Sequence, residues 1–128
     1  MCKETLSQFF KEKISGYKPL SLRELPKSSG EIRIESDFEG YRLYYGKKYI
    51  LCNSQSEACY FKVWMDAGLE SVKVPEDEVY LNKIVPDLEK LMQKIKEIIE
   101  SYTESILQPK LRQKILHQIW REVTEGIR

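Results

Sequence analysis

Residues 41–74 read YRLYYGKKYILCNSQSEACYFKVWMDAGLESVKV, and the fold is decided here. Tyr41 to Tyr45 and Lys48 to Cys52 are short runs of strand-forming residues, and the Gly46-Lys47 pair joins them. Glycine at the first central position of a two-residue turn predicts a hairpin of type II′, because the positive φ needed there costs glycine nothing. Ser54, followed three residues later by Glu57, fits a capping box in which hydroxyl and carboxylate each accept an amide. The helix opened by that box runs to about Ala67. Ala58, Phe61, Val63, Trp64 and Met65 cover most of its circumference apart from Lys62 and Asp66, and Gly68 stands where a left-handed residue ends a helix. Leu69 to Val74 resumes as a strand with Val72 and Val74 inward, stopped by Pro75. Strand, helix and strand in so short a span predict a right-handed crossover, with the last strand parallel to an earlier one.

Upstream, Glu31 to Glu35 alternates, with Ile32 and Ile34 on one side and Glu31, Arg33 and Glu35 on the other, the pattern of a strand with one wet face. The turn chemistry of Asp37-Phe38-Glu39-Gly40 links it to the hairpin as a three-stranded antiparallel meander. Tyr17 to Gly30 contains two prolines and several serines and is expected to be a surface loop anchored by Leu20, Leu22 and Leu25. Its length makes it a candidate lid or partner-binding segment, with a plain tether as the competing explanation. Ahead of it, Glu4 to Ile14 spaces Leu6, Phe9, Phe10 and Ile14 for one face of a short helix that stops at Ser15-Gly16, a position that tolerates positive φ.

Downstream, Glu76 to Arg128 is expected to be helical. Leu81, Val85, Leu88, Met92, Ile95, Ile99, Tyr102 and Ile106 recur at alternating steps of four and three, the spacing of a coiled-coil seam, and Ile84, Leu91 and Ile98 widen it. Pro86 and Pro109 interrupt the stripe, each as a first-turn residue or a kink, and the break is expected at Gln108-Pro109. Lys110 to Gly126 then forms the last helix, with Leu111, Ile115, Leu116, Ile119, Trp120 and Val123 inward. The same heptad register also lands on Leu116, Trp120, Val123 and Ile127, so a single kinked helix paired with a second chain is the alternative. The fold class is therefore α+β: a small, mostly antiparallel four-stranded sheet with a β-α-β crossover, an N-terminal helix and a long C-terminal helical hairpin. Residues 1–75 form the small α/β domain, and residues 76–128 a helical extension packed on it or on a second chain.

Composition limits the function classes. The 128 residues are 41% hydrophobic and 32% charged, with 21 Lys and Arg against 20 Asp and Glu, so global charge offers no drive toward nucleic acid or acidic membrane. Cys2, Cys52 and Cys59 form no paired framework, and with one histidine they build no sequence-adjacent zinc site. The N-terminal MCKETLSQFFKEKIS lacks the apolar run of a signal peptide, and no stretch of about 18 apolar residues suits a membrane span. A cytoplasmic protein without metal or cofactor is expected.

No motif dictates a reaction. His117, the one candidate base, belongs to the last helix at the edge of its apolar stripe, where a partly solvated residue is expected. Cys59 sits past the first turn of its helix, where acidification fades, and both it and Cys52 read as small hydrophobes. Asp87 and Glu89-Lys90 have the residue types of a metal-dependent nuclease core, yet they share one helical turn instead of adjacent strands. The six glycines are scattered and form no phosphate loop.

The most suggestive surface is the hairpin, where Arg42, Lys47 and Lys48 alternate with Tyr44 and Tyr49. Rings that stack bases beside cations that neutralise phosphate make a single-stranded nucleic-acid platform. Half-buried strand tyrosines explain the same residues, and Glu31, Glu35, Asp37 and Glu39 close by weaken the patch. The run SQSEACYFKVWMDAG, Ser54 to Gly68, resembles segments in the target-recognition parts of DNA adenine methyltransferases, where a strand and a polar turn lead into a helix with alanine and aromatics. The resemblance covers about fifteen residues and none of that family's catalytic motifs; it implies an accessory role in DNA modification. In the last helix, Lys110, Arg112, Lys114, Arg121 and Arg128 face only Glu122 and Glu125, charges suited to pairing helices or subunits.

The expected function is that of a non-catalytic interaction protein whose C-terminal helices mediate self-association or protein docking through Leu81, Val85, Leu88, Met92, Ile95, Ile99, Tyr102 and Ile106. The alternative is a nucleic-acid-binding accessory module, for example in a DNA modification or restriction system, using Arg42, Tyr44, Lys47, Lys48 and Tyr49. A hydrolase with dispersed carboxylates at the hairpin is a third reading.

Overall fold

The structure, a computed structural model, describes residues 5–26, 31–124 and 127. Cys2, Glu4, the loop end at Gly30, and Glu125, Gly126 and Arg128 lie outside these residues. The architecture is α+β, with helices on two small antiparallel sheets.

A short helix α1, Leu6–Phe9, runs on into a π-helical segment, Phe10–Ser15. Leu6, Phe9, Phe10 and Ile14 are buried, as their spacing requires, and Phe10 meets Trp64 edge to face at 6.1 Å. Gly16 ends the segment with φ −88°, so its tolerance of positive φ is not used.

The meander is β2, Ile32–Asp37, β3, Gly40–Tyr45, and β4, Lys48–Cys52. Gly46 takes φ +66° while Lys47 keeps a negative φ, the type II′ turn expected of this pair. Cross-strand neighbours share a face, so Ile34, Leu43 and Ile50 in register mark the core side.

Helix α2, Gln55–Asp66, lies against that face. Ser54 Oγ accepts the Glu57 amide at 3.1 Å, and Glu57 returns to Asn53, one residue short of the reciprocal capping box. Gly68 at φ +85° closes the helix: its amide donates to Met65 and that of Leu69 to Trp64, both at 3.0 Å, which is a Schellman motif. Tyr60, Phe61 and Trp64 form the centre of the core.

The sheet differs from expectation. Leu20–Glu24, within the segment expected to be a loop, is a strand, β1, and it pairs antiparallel with β5, Ser71–Pro75, in a separate two-stranded sheet. β5 therefore does not join the meander, and no parallel crossover within one sheet forms among the described residues. The physical reason lies in β1. Ser21 and Arg23 stand opposite Val74 and Val72 on the buried side, whereas Leu22, an expected anchor, faces outward and is 68% exposed. Arg23 fits that inward position by laying its guanidinium 5.3 Å from the Phe61 ring centre and its end 3.8 Å from Glu57.

Helix α3, Glu78–Thr103, starts on Asp77, whose carboxylate accepts the amides of Val79 and Tyr80. Pro86 lies inside it, on the exposed side of the helix. Helix α4, Pro109–Val123, begins with Pro109 in its first turn, after a break from Glu104 to Gln108. The break stands where Gln108-Pro109 predicts it, and the single kinked helix is excluded. The far end of α4 returns to the domain, with Trp120 and Val123 against the core and Ser7 Oγ donating to the Val123 carbonyl at 3.2 Å.

Candidate interaction surfaces

The outer face of the meander gathers some of the hairpin residues. Register puts Arg42 opposite Leu51 and Tyr44 opposite Tyr49, and β2 adds Arg33 beside Tyr44 and Glu35 beside Arg42. Tyr44 and Tyr49 sit 5.5 Å apart at a 48° tilt. Each ring is already covered on one side by a guanidinium: Arg33 lies 5.3 Å from the Tyr44 centre and Arg42 4.9 Å from that of Tyr49. Lys48 pairs with Tyr45 on the opposite face, and Lys47 is at the turn, so neither belongs to the aromatic cluster. The cations of this face have partners. Arg42 reaches Glu39 at 2.8 Å and Asp37 at 3.3 Å, and Arg33 reaches Glu35 at 3.4 Å. Two arginines against three carboxylates leave the face slightly acidic, and a base or phosphate has to displace both sets of contacts. Arg33 was not singled out in the sequence, although the alternation of Glu31 to Glu35 places it on the wet face.

The helical extension carries the second surface. Leu81, Val85, Leu88 and Met92 are buried within the domain, Ile99 is buried further along, and Ile95 and Ile106 are half-buried. Along the row Ile84, Leu88, Leu91, Ile95, Ile98, Tyr102, spaced by four and three, the first three are buried and Ile95 half-buried, then Ile98 is 57% and Tyr102 70% exposed. The helix overhangs the domain it packs on. Leu107 in the connection, 91% exposed, and Leu111 in the first turn of α4 continue the apolar end. Leu107 is not singled out in the sequence, whereas Ile98, read as widening the seam, and Leu111, expected inward on the last helix, are both exposed, because exposure at these positions depends on where the domain stops.

On α4, Ile115, Leu116, Ile119, Trp120 and Val123 are half-buried, while Lys110, Lys114, His117 and Arg121 recur at four, three and four on the opposite, exposed side. His117 is accordingly a solvated helix residue.

Nucleophilic chemistry finds little support in the thiols. Burial, followed by the nearby Glu57 carboxylate, pushes the Cys52 thiol up to about 12, and burial also raises Cys59. Among the described residues, no group of three or more His, Cys, Asp or Glu side chains is placed to hold a metal ion, and no helix is long and apolar enough to cross a membrane.

Comparison with known protein families, with curated proteins and with solved structures finds no match to this chain. The methyltransferase resemblance of residues 54–68 therefore gains no support.

Proposed function

We propose that this protein is a non-catalytic interaction module that docks a protein partner on the free end of its α3–α4 hairpin. The observation that carries the reading is the overhang: an apolar row that is core from Ile84 to Leu91 continues into water at Ile98 and Tyr102. A monomer leaves few such rows uncovered, because apolar area in water is unfavourable by about 25 cal/mol per Å². The overhang also divides the residues proposed for the interface, with Ile99 buried alongside the proximal ones. Leu81, Val85, Leu88 and Met92 hold the helix to its own domain, and the distal group that includes Tyr102 and Ile106 meets the partner.

A photo-crosslinking amino acid placed at Tyr102, and separately at Tyr49, tests this in cells. A discrete protein adduct is expected from position 102, lost when Leu107→Ser and Leu111→Ser are added to the same chain, with none from position 49. Absence of an adduct at 102, or an adduct indifferent to the two serine substitutions, overturns the reading.

A further inference from the structure

The end of the hairpin also carries charge of both signs. A groove of about 490 Å³ lies between the end of α3 and the start of α4, lined by Glu97, Glu100, Ser101, Glu104 and Arg112. Across α4, the exposed row of Lys110, Lys114 and Arg121 has no ion pair among the described residues, and neither have Glu97, Glu100 and Glu104. The acidic residues are spaced by three and four, and Lys110, Lys114 and Arg121 by four and seven. The acidic set thus spans two helical turns, about 10 Å, and the basic set three, about 16 Å.

We propose that the partner on this surface is a second copy of the chain, related by a two-fold axis, with the cationic row of each α4 laid over the acidic groove of the other copy. The inference rests on the docking reading above. A two-fold axis makes every contact occur twice, so one chain that carries both an acidic and a basic row is complementary to itself. Leu107 and Leu111, exposed at the same end, supply apolar contact that charges alone do not, since exposed ion pairs contribute little by themselves. The near-balance of 21 basic and 20 acidic residues leaves no long-range repulsion between copies. A partner of different sequence has to match both rows independently; a second copy already does.

Sedimentation equilibrium of the full chain and of two charge-reversed variants tests the arrangement. One variant carries Lys110→Glu and Lys114→Glu, the other Glu97→Lys and Glu104→Lys; all four positions are exposed, and circular dichroism checks that both variants fold. The unaltered chain is expected at twice its 15.2 kDa mass, more tightly at low salt. Each variant alone is expected to dimerise about 30-fold more weakly, and an equimolar mixture of the two to restore a dimer through opposite rows. A mixture that remains monomeric, or reversed variants that dimerise like the unaltered chain, overturns the charge register. A monomeric unaltered chain that still gives a Leu107-dependent adduct from position 102 overturns the second-copy inference and leaves the docking reading standing. A monomer with no such adduct overturns both.

Discussion

Tyr17 and Tyr80 lie face to face, their ring centres 3.8 Å apart and their planes 3° from parallel. The Tyr17 hydroxyl donates to Asp77 at 2.7 Å and that of Tyr80 to the Lys13 carbonyl at 2.6 Å, so the stack clasps the N-terminal segment to the start of α3. The Tyr17 hydrogen bond, followed by the Tyr80 amide, holds the Asp77 carboxyl below its ordinary 3.8, and the same bond raises Tyr17 above 10.0. Asp77 therefore contributes its full share of stability above pH 3.8 and loses it as pH falls through the lowered value. Tyr17 contributes fully below pH 10.0 and loses its share as pH rises through the raised value. Thermal melts across pH are expected to show both limbs in the unaltered chain. In Tyr17→Phe, which keeps the ring stack and loses the hydrogen bond, both limbs should become shallower, with the raised Cys52 and Cys59 thiols keeping part of the alkaline one.

The overhang of α3 predicts opposite outcomes for two residues of one row. Leu88→Ala removes a fully buried side chain and is expected to destabilise the fold by about 2–5 kcal/mol. Tyr102→Ala, at 70% exposure, should change the stability of the monomer by less than about 0.5 kcal/mol. Urea denaturation of dilute samples separates the two, and equal costs would place Tyr102 in the core.

Cys52 is expected to behave as a packed residue. With its thiol raised to about 12, alkylation by iodoacetamide at pH 8 should leave Cys52 unmodified in the folded chain and modify it on unfolding in urea, as followed by peptide mapping. Prompt labelling in the native state would show the strand end at Cys52 to be open.

The outer face of the meander yields a prediction for nucleic acid. Because Arg33 and Arg42 are paired with carboxylates and cover the tyrosine rings, anisotropy titrations with single-stranded and duplex oligonucleotides are expected to show no salt-dependent binding. Releasing the pairs by Asp37→Asn and Glu39→Gln should raise any residual binding, and tight binding by the unaltered chain would reinstate the hairpin as the functional surface.

What was legible in the sequence was set by near neighbours. Gly46 announces its turn, Ser54 and Gly68 announce the ends of α2, and Pro109 the start of α4, because each acts on backbone within a few residues. β1 was not legible, since its partner is β5, about fifty residues away, and its buried side carries Ser21 and Arg23 where the pattern calls for apolar residues. Likewise the direction of the α3 stripe could be read, and the point at which it leaves the domain could not. The hairpin patch was half legible: Tyr44 and Tyr49 face each other as alternation requires, but the carboxylates that neutralise it arrive partly through the turn at Asp37 and Glu39.

The pairing of β1 with β5 has a consequence for how the chain reaches its fold. The meander and α2, residues 32–66, can assemble from contacts close in sequence, whereas β1 has to wait for β5 before it has a ladder to join. The two-stranded sheet is thus expected to close last, like a buckle around the unit formed by the meander and α2. Loss of β1 would strand the backbone of Ser71–Pro75 as an unpaired edge next to buried Val72 and Val74, a template for aggregation. The N-terminal segment, in that sense, shields the rest of the chain from association of the wrong kind.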